Sequence, residues 1–424
     1  MNQEPLMQLF RRATEAASQH QYWSALDHYT NLLALIDPKT SDIAAKEKRL
    51  TALRERGRLL GLLGEQEAAL SAYVQYHREA DDEARRTDGL IKIGDQSRGI
   101  GRYEQAQNAY NEALLLSELR HDDTGRGRAL VGIGLVKLVR GRHEEAIEYL
   151  QNATGLFEMA GDAARQIRTL NRMGVAYAYS GQMDAAIATF VNALNLSRKI
   201  NQKDTAVSAL NNLGECHQYL YDFEQALVYH QEGLALAEET RLRLIEADIC
   251  RNMGLELCQL GRVEEGMDYL QRALTISKET KHPDNLANTH YALALTELER
   301  GNVEAAYDYT EQLRAMAVQN DSRNLLASAH YILGLYHQKK DEPDVAEQWW
   351  QQALFLAHEA NNRTLLWKIH AELADNTAIP DLAQVHRRIA AEVIQQIADP
   401  IADEALRQKF LNALPVRAVL DASI

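Results

Sequence analysis

The chain has 424 residues, and its 60 acidic side chains outnumber 46 basic ones, which gives a formal charge of −14. This acidic balance argues against a nucleic-acid backbone or an anionic membrane as the main partner. The length exceeds the roughly 250–300 residues at which a single hydrophobic core stops growing. Only seven prolines and the lack of β-rich segments punctuated by turns predict an all-helical protein.

The N-terminal part of the chain predicts two helix pairs with loose sequence signals. The first pair is indicated by Ala13, His20, Ala25 and Tyr29. The second pair is indicated by Gly57, Gly64, Ala69 and Tyr73. The opening residues lack the apolar stretch of a signal peptide, and no apolar run approaches the roughly 18 residues that a membrane span needs.

From residue 94 onward the sequence repeats with a period of 40 residues. A small residue recurs in register at Gly94, Gly134, Gly174, Gly214, Gly254, Ala294 and Gly334. Twelve residues after each of these comes a second small residue, at Ala106, Ala146, Ala186, Ala226, Gly266, Ala306 and Ala346. An interior helical glycine costs about 1 kcal/mol relative to alanine. The repeated small residues therefore predict two helices that cross with their backbones close together.

Each unit also carries a turn signal and a packing residue. Seven residues after the first small residue stand Gly101, Gly141, Gly181, Gly261 and Gly301. Glycine there can adopt the left-handed conformation that ends one helix before the next begins. Two units have Tyr221 and Asp341 at this position instead. Sixteen residues after the first small residue stand large side chains that we interpret as core, namely Tyr110, Leu150, Phe190, Leu270 and Trp350.

This order of small residue, turn glycine, alanine and aromatic residue resembles the tetratricopeptide repeat (TPR), although the usual period is about 34 residues. The resemblance covers almost the whole chain. It implies an all-α fold, a right-handed α-α superhelix of about nine helix–turn–helix repeats, which we place at residues 1–375. Long repeats with a core such as Asn212-Leu213-Gly214 are similar to those of cortical polarity adaptors, kinesin light chains and bacterial peptide-sensing regulators.

Residues 376–424 depart from the repeat, because Gly334 is the last glycine in the chain. Pro380 begins an amphipathic helix, and Asp399-Pro400 separates it from a second helix. The terminal repeat of a solenoid needs a cap because its outer face has no neighbour. We therefore expect capping helices and a tail. The segment ADEALRQKFLNALPVRAVL is similar to the closing segment of TPR regions found behind nucleotide-cyclase or NTPase modules in bacterial signalling proteins.

The sequence contains no pattern that predicts catalysis or metal binding. It lacks a GxxxxGK[ST] phosphate loop, an HExxH metal motif and a nucleophile elbow. Cys216, Cys250 and Cys258 have no redox spacing and are most simply buried thiols in a reducing compartment. His290 and His330 stand at equivalent repeat positions, which favours packing roles. We expect a non-enzymatic, cytoplasmic protein without cofactor or metal.

The TPR resemblance implies that the first helix of each repeat lines a concave face. Family ligands contact residues six and three before the glycine and one and four after it. With the bordering side chains two before the glycine, these positions predict a ligand face made of Arg168, Asn171, Arg172, Asn211, Asn212, Glu215, Gln218, Asp248, Arg251, Asn252, Asn288 and Tyr291. Asparagine is both donor and acceptor, so it can pair with an extended peptide backbone. The alternative is a solvated wall whose asparagines bond to neighbouring helices.

Three classes of function remain open. The leading one is a protein- or peptide-binding scaffold, a regulatory or signalling adaptor that holds a partner segment in its groove. The second is a peptide- or metabolite-gated regulatory switch. The third is a self-assembling structural protein, in which case a homo-oligomer forms. For the leading class the expected partner is a protein or peptide, with no nucleic acid and no membrane.

Overall fold

The computed structural model describes residues 3–423, which contain 22 α-helices and no β-strand. The predicted domain boundaries also include residues 1, 2 and 424, which lie outside the described residues. The first nine helices are α1 (Gln3–Ser18), α2 (Tyr22–Leu35), α3 (Ile43–Leu62), α4 (Gln66–Glu79), α5 (Glu83–Gly99), α6 (Tyr103–Leu119), α7 (Asp123–Val139), α8 (His143–Met159) and α9 (Ala163–Ser180).

The second half of the chain continues the same alternation. Its repeat helices are α10 (Met183–Lys199), α11 (Lys203–Tyr219), α12 (Phe223–Thr240), α13 (Arg243–Gln259), α14 (Val263–Thr280), α15 (Pro283–Glu299), α16 (Val303–Gln319), α17 (Arg323–Lys339) and α18 (Pro343–Glu359). The chain ends with α19 (Arg363–Asn376), α20 (Pro380–Ala398), α21 (Glu404–Leu411) and α22 (Leu414–Ala422). The predicted all-α helical-repeat solenoid is confirmed.

The turns within the helix pairs are closed by left-handed residues, as the sequence predicts. Backbone φ is positive at Gly64, Gly101, Gly141, Gly181, Gly261 and Gly301, a conformation that glycine adopts without steric cost. Tyr221 (φ 60°) and Asp341 (φ 59°) adopt the same conformation in the two units that lack the glycine. The turn geometry is therefore kept even where the residue type does not favour it.

The turns between one pair and the next use the same conformation, which the sequence did not reveal. Positive φ recurs there at His121, Gly161, Asn201, Arg241, Lys281, Asp321 and Asn361. Combined with the turns inside the pairs, this places a left-handed residue every 20 positions from residue 101 to residue 361. The signal was missed because only one of these seven residues is a glycine.

The small residues mark close helix crossings, as predicted. At Gly254 on α13, a Cβ atom would lie 2.6 Å from Leu270 Cγ and 2.9 Å from the backbone oxygen of Gly266 on α14. Trp350 is fully buried, and its indole Nε1 donates a hydrogen bond of 3.2 Å to the backbone oxygen of Tyr331. The interpretation of Trp350 as a core residue is confirmed.

The chain divides into two compact units, residues 1–176 and residues 177–424, with the boundary inside α9. In the first unit, buried tyrosines such as Tyr29 and Tyr110 anchor the cores between successive pairs. In the second unit, α19 and α20 pack on each other as a further pair. None of the helices in the described residues has the length and apolar character that crossing a bilayer requires.

Candidate functional site

The second unit contains a cavity of about 760 Å³ lined by the first helices of successive pairs, α11, α13, α15 and α17, together with α19. The cavity wall is formed by the same positions of each repeat, because equivalent residues on successive first helices are 40 residues apart. One residue after the small residue come Glu215, Leu255, Leu295 and Leu335. Three before it come Tyr291 and Tyr331, and four after it come Gln218, Leu298 and Gln338.

Six aromatic side chains line this cavity. They come from α11, the turn that follows it, α12, α15, α17 and α19, and they are Tyr219, Tyr221, Phe223, Tyr291, Tyr331 and Trp367. Burial raises the pKa of Tyr291 to about 12 and also raises the pKa of Tyr219 and Tyr221. The hydroxyl groups therefore stay protonated, so the rings offer apolar faces with hydrogen-bond donors at their tips.

Five charged residues line the same cavity, namely Glu215, Glu299, Lys339, Lys368 and Glu372. Gln259 Nε2 donates a hydrogen bond of 3.3 Å to Glu299 Oε1, and Tyr331 Oη donates one of 3.5 Å to Glu372 Oε1. Desolvation raises the pKa of Glu299 and Glu372 and lowers the pKa of Lys368. Lys368 and Glu372 are half-buried and Glu299 is exposed, and each of these two carboxylates has one hydrogen-bond donor. A polar ligand group could therefore pair with the remaining hydrogen-bonding capacity of these side chains.

The end of the chain closes one side of the cavity. We call residues 399–423 the tail segment; Pro415 and Val419 of its helix α22 line the cavity wall. Lys409 Nζ lies 2.6 Å from Asp222 Oδ2, and the Asp222 side chain is only 8% exposed. Burial acts to raise the pKa of Asp222, but Lys409 and His217 together hold it below its usual value.

The tail segment is fixed at further points of the second unit. Phe410 is 2% exposed, and its ring centroid lies 6.3 Å from that of Tyr219 and 6.2 Å from that of Tyr221. The backbone N–H of Ala402 donates a hydrogen bond of 3.4 Å to Asp184 Oδ1. The tail segment therefore contacts the N-terminal ends of α10 and α12, which lie several repeats before the tail segment in the sequence.

The predicted polar residues of α11 and α13 are bonded to one another. Asn211 and Asn252 are buried, and both side-chain amides donate to Glu215 Oε1, at 3.1 Å and 3.2 Å. Arg251 Nη1 donates to Asp248 Oδ1 at 2.6 Å, and its Nη2 donates to Asn252 Oδ1 at 3.0 Å. Asn252 therefore bonds across to α11, whereas the hydrogen bonds that Asn211 and Arg251 donate lie within their own helices. A ligand face at these residues stays a prediction.

The sequence of the repeats matches a known family over part of the chain. A sequence model described as the tetratricopeptide repeat matches residues 89–159 and 165–239. These stretches hold the helices from α5 to α12, whose pairs are those of the solenoid just described. The chain contains tetratricopeptide repeats (TPR) and has the TPR fold.

Solved structures share this TPR fold at low sequence identity. The apo form of the quorum sensor NprR from B. thuringiensis has a TM-score of 0.60 and 14% identity, covering 84% of this chain and 99% of that one. A signal transduction ATPase with numerous domains (STAND) from Pyrococcus horikoshii carries a TPR sensor. It has a TM-score of 0.59 and 15% identity, covering 87% of this chain and 55% of that one. This chain thus spans about half the length of that ATPase.

A third structure was solved with a ligand. It is the Rap conjugation gene regulator of the plasmid pLS20 in complex with the Phr peptide, with a TM-score of 0.58 and 16% identity, covering 86% of this chain and 97% of that one. Identities in this range establish the TPR fold alone. No sequence among the curated proteins matches this chain significantly.

The other predicted ligand residues of this TPR protein lie in several places. Glu215, Gln218 and Tyr291 line the cavity, whereas Asn212 and Asn288 are half-buried on α11 and α15. Three lie on α9 in the first unit, namely Arg168, Asn171 and Arg172. Arg168 and Arg172 line a separate pocket there, and Asn171 is half-buried.

Sequence reasoning missed several residues of the TPR cavity. Tyr219 stands five positions after its glycine, a position that the family pattern did not include. Trp367 lies on α19, beyond the last recognised repeat, and Pro415 and Val419 come from the tail segment. A search for aromatic residues one helical turn beyond the one-after position would have found Tyr219, but no periodic signal indicates the tail contacts.

The described residues contain no group of three or more His, Cys, Asp or Glu side chains that could hold a metal ion. Cys216, Cys250 and Cys258 are buried free thiols. Burial raises the pKa of Cys216 and of Cys250 to about 12, which keeps them in the unreactive thiol form. These three cysteines therefore act as small apolar side chains of the TPR core.

Proposed function

We propose that this TPR protein is a non-enzymatic scaffold that holds a peptide or an extended protein segment in the cavity of the second unit, and that it acts as a cytoplasmic regulatory adaptor. The observation that carries the proposal is the aromatic cavity of about 760 Å³ formed by the first helices of successive repeats. Its volume lies within the roughly 300–1,000 Å³ of typical ligand sites.

The chemistry of the wall suits a peptide. Leu255, Leu295 and Leu335 offer an apolar stripe, while the tyrosine hydroxyls supply hydrogen-bond donors for backbone carbonyls. Lys368 and Glu372, which few partners satisfy, suit a charged side chain. The Rap regulator of pLS20, which shares the fold, was solved with a peptide, and this supports the choice of ligand class. The net charge of −14 disfavours nucleic acid and anionic membrane.

A matched pair of tyrosine substitutions tests the proposal. Peptides that bind the wild-type protein are first selected from a displayed random library. Tyr291→Ala, on the cavity wall, is expected to weaken the selected peptides at least tenfold, which corresponds to about 1.4 kcal/mol. The control is Tyr309→Ala on α16, a half-buried tyrosine of the same region that does not line the cavity.

Fluorescence anisotropy with labelled peptides gives both affinities, and circular dichroism verifies that both variants fold. The proposal requires the two variants to differ in affinity. Binding that both variants retain, or that both lose to the same extent, contradicts a site in this cavity.

The position of the tail segment favours a second candidate function, a peptide-gated switch. Because Pro415 and Val419 form part of the cavity wall, a long ligand has to compete with the tail segment for space. A selected peptide is then expected to accelerate amide hydrogen exchange in residues 399–423, with α16 as the internal reference. Unchanged or slower exchange there would leave the simple scaffold and remove the switch.

A further inference from the structure

The first unit contains a small pocket surrounded by guanidinium groups. Its volume is about 160 Å³, and it lies between α5, α7, α8 and α9. We call it the arginine pocket, because Arg128, Arg165, Arg168 and Arg172 line it together with Asp95. Such a concentration of positive charge is unexpected in a chain with a formal charge of −14.

Two of these arginines are already paired with acidic side chains. Arg128 Nη2 donates a hydrogen bond of 2.8 Å to Asp88 Oδ1, and Arg165 forms an ion pair with Asp162. Asp95 accepts a hydrogen bond of 2.7 Å from the hydroxyl of Tyr110. The carboxylates around the pocket are therefore largely engaged.

The other two arginines remain available. Within residues 3–423, neither Arg168 nor Arg172 forms a side-chain hydrogen bond or ion pair, and both are solvent-exposed residues that line the pocket. Desolvation lowers the pKa of Arg172, Asp95 opposes that shift, and the guanidinium groups of Arg98 and Arg168 add to it. Arg172 thus has two like charges and one carboxylate in its surroundings.

The arrangement on α9 has a cost that a bound anion would remove. Arg165, Arg168 and Arg172 follow one another at spacings of three and four residues, which places them on one face of the helix. Like charges four residues apart destabilise a helix, and Arg168 and Arg172 have that spacing. An anion between them would offset the repulsion and accept hydrogen bonds from both.

The walls of the pocket strengthen this effect. Phe157 is 1% exposed and Val131 is 6% exposed, and both line the pocket beside the arginines. These buried side chains make one wall of the pocket apolar, while Arg168 and Arg172 themselves are exposed. Charge interactions are stronger beside an apolar wall than in open water. Guanidinium groups match carboxylate and phosphate oxygens in a bidentate geometry.

We propose that the arginine pocket binds an acidic group of the partner peptide or protein, either a carboxylate or a phosphorylated side chain. The inference rests on the proposed function, because it assigns a second contact to the same partner. A single pocket of this size fits one anionic group, whereas a nucleic-acid backbone requires an extended basic surface.

Two simple anions test the pocket directly. Protein labelled with ¹⁵N-arginine is titrated with inorganic phosphate and with sodium acetate at constant ionic strength. The side-chain Nε signals of Arg168 and Arg172, assigned with the single variants Arg168→Gln and Arg172→Gln, are expected to shift saturably. Tighter binding of phosphate indicates a phosphorylated group, and tighter binding of acetate indicates a carboxylate.

Matched variants distinguish the pocket from general charge. Arg168→Gln with Arg172→Gln is expected to weaken anion binding at least tenfold. Arg120→Gln with Arg142→Gln removes the same charge from exposed sites of the first unit and should leave binding unchanged. Arg172→Lys keeps the charge without the bidentate geometry and should give an intermediate affinity. The proposal is overturned if the signals do not shift, or if both double variants behave alike.

The outcome separates this inference from the proposed function. If Tyr291→Ala weakens the selected peptides while the Arg168 and Arg172 variants leave their affinity unchanged, the arginine pocket is not a contact and the cavity proposal stands. If phosphate binds the pocket but Tyr291→Ala has no effect on peptides, the cavity proposal fails and the anion site remains.

Discussion

Two helical glycines of this protein have opposite surroundings. At Gly254 a Cβ atom would lie 2.9 Å from the backbone oxygen of Gly266, so an added methyl group must push two backbones apart. At Gly155, within α8, no neighbouring group lies within 4 Å of the added atom. The same substitution therefore tests packing at one site and helix propensity at the other.

We predict that Gly254→Ala destabilises the protein, because overpacking costs typically about 1–3 kcal/mol and outweighs the gain of up to about 1 kcal/mol in helix propensity. Gly155→Ala is the control and should stabilise the protein slightly. Urea denaturation followed by circular dichroism gives both changes. If the two variants change stability in the same direction, the close crossing of α13 and α14 does not limit side-chain size.

At the scale of single residues, the sequence predicted positions whose environment repeats. The small residues and turn glycines could be found because each repeat requires the same contact at the same place. The sequence did not predict which polar side chains would lack partners within the protein and so be available to a ligand. Asn211 and Asn252 belong to the same residue type as a ligand-binding asparagine, but they bond to Glu215 instead. For Asn211 the partner stands one turn along the same helix, whereas for Asn252 the bond depends on the distance between two helices, which residue type does not encode.

At the scale of helices, a pair of histidines joins α19 to α20. His370 Nδ1 lies 2.9 Å from His386 Nδ1, so one ring donates a hydrogen bond to the other. Burial lowers the pKa of His370 to about 4, and His386 and His358 add to the shift. Burial also lowers the pKa of His386, against the opposing effect of Glu347.

From this histidine pair we predict that low pH destabilises the packing of α19 against α20. An unfolded histidine takes up a proton near pH 6.5, whereas folded His370 does so only near pH 4. Between these values the unfolded state binds more protons, so stability falls as the pH is lowered through this window, by at most about 3 kcal/mol. Above pH 6.5 the contribution is constant.

Hydrogen exchange of α20 at pH 7 and pH 5, corrected for the intrinsic exchange rate, checks this prediction. We expect a smaller pH response in His370→Gln than in the wild-type protein. His28→Gln, in the first unit, is the control and should retain the wild-type response. A pH response that His370→Gln leaves unchanged would assign the acid sensitivity to other groups.

At the scale of the whole molecule, the tail segment links distant parts of the sequence. Ala402 bonds to a residue 218 positions earlier, and Lys409 pairs with Asp222. The solenoid could be predicted because repeats contact their neighbours along the chain. The tail contacts could not be predicted, because they join a unique segment to unique turns and leave no periodic pattern.

We predict that Phe410→Ala lowers the melting temperature and increases binding of a hydrophobic dye, because it removes a ring that is 2% exposed and uncovers Tyr219 and Tyr221. Truncating a buried phenylalanine costs about 3–5 kcal/mol. Leu414→Ala is the control, since Leu414 lies in the tail segment but is 85% exposed. Equal effects of the two substitutions would mean that the tail segment does not pack as described.

The left-handed residues that recur every 20 positions have a consequence for how such a chain can change in length. They divide the chain into helices of nearly equal length, about 25 Å for a 17-residue helix such as α6. Removing 40 residues takes out the first and second helix of one pair, so every later helix keeps its place in the repeat. Removing 20 would exchange first and second helices from that point onward, so the residues of the aromatic cavity would no longer lie on first helices. The repeating element is therefore a pair of helices, and natural or engineered variants should gain or lose residues only in whole pairs.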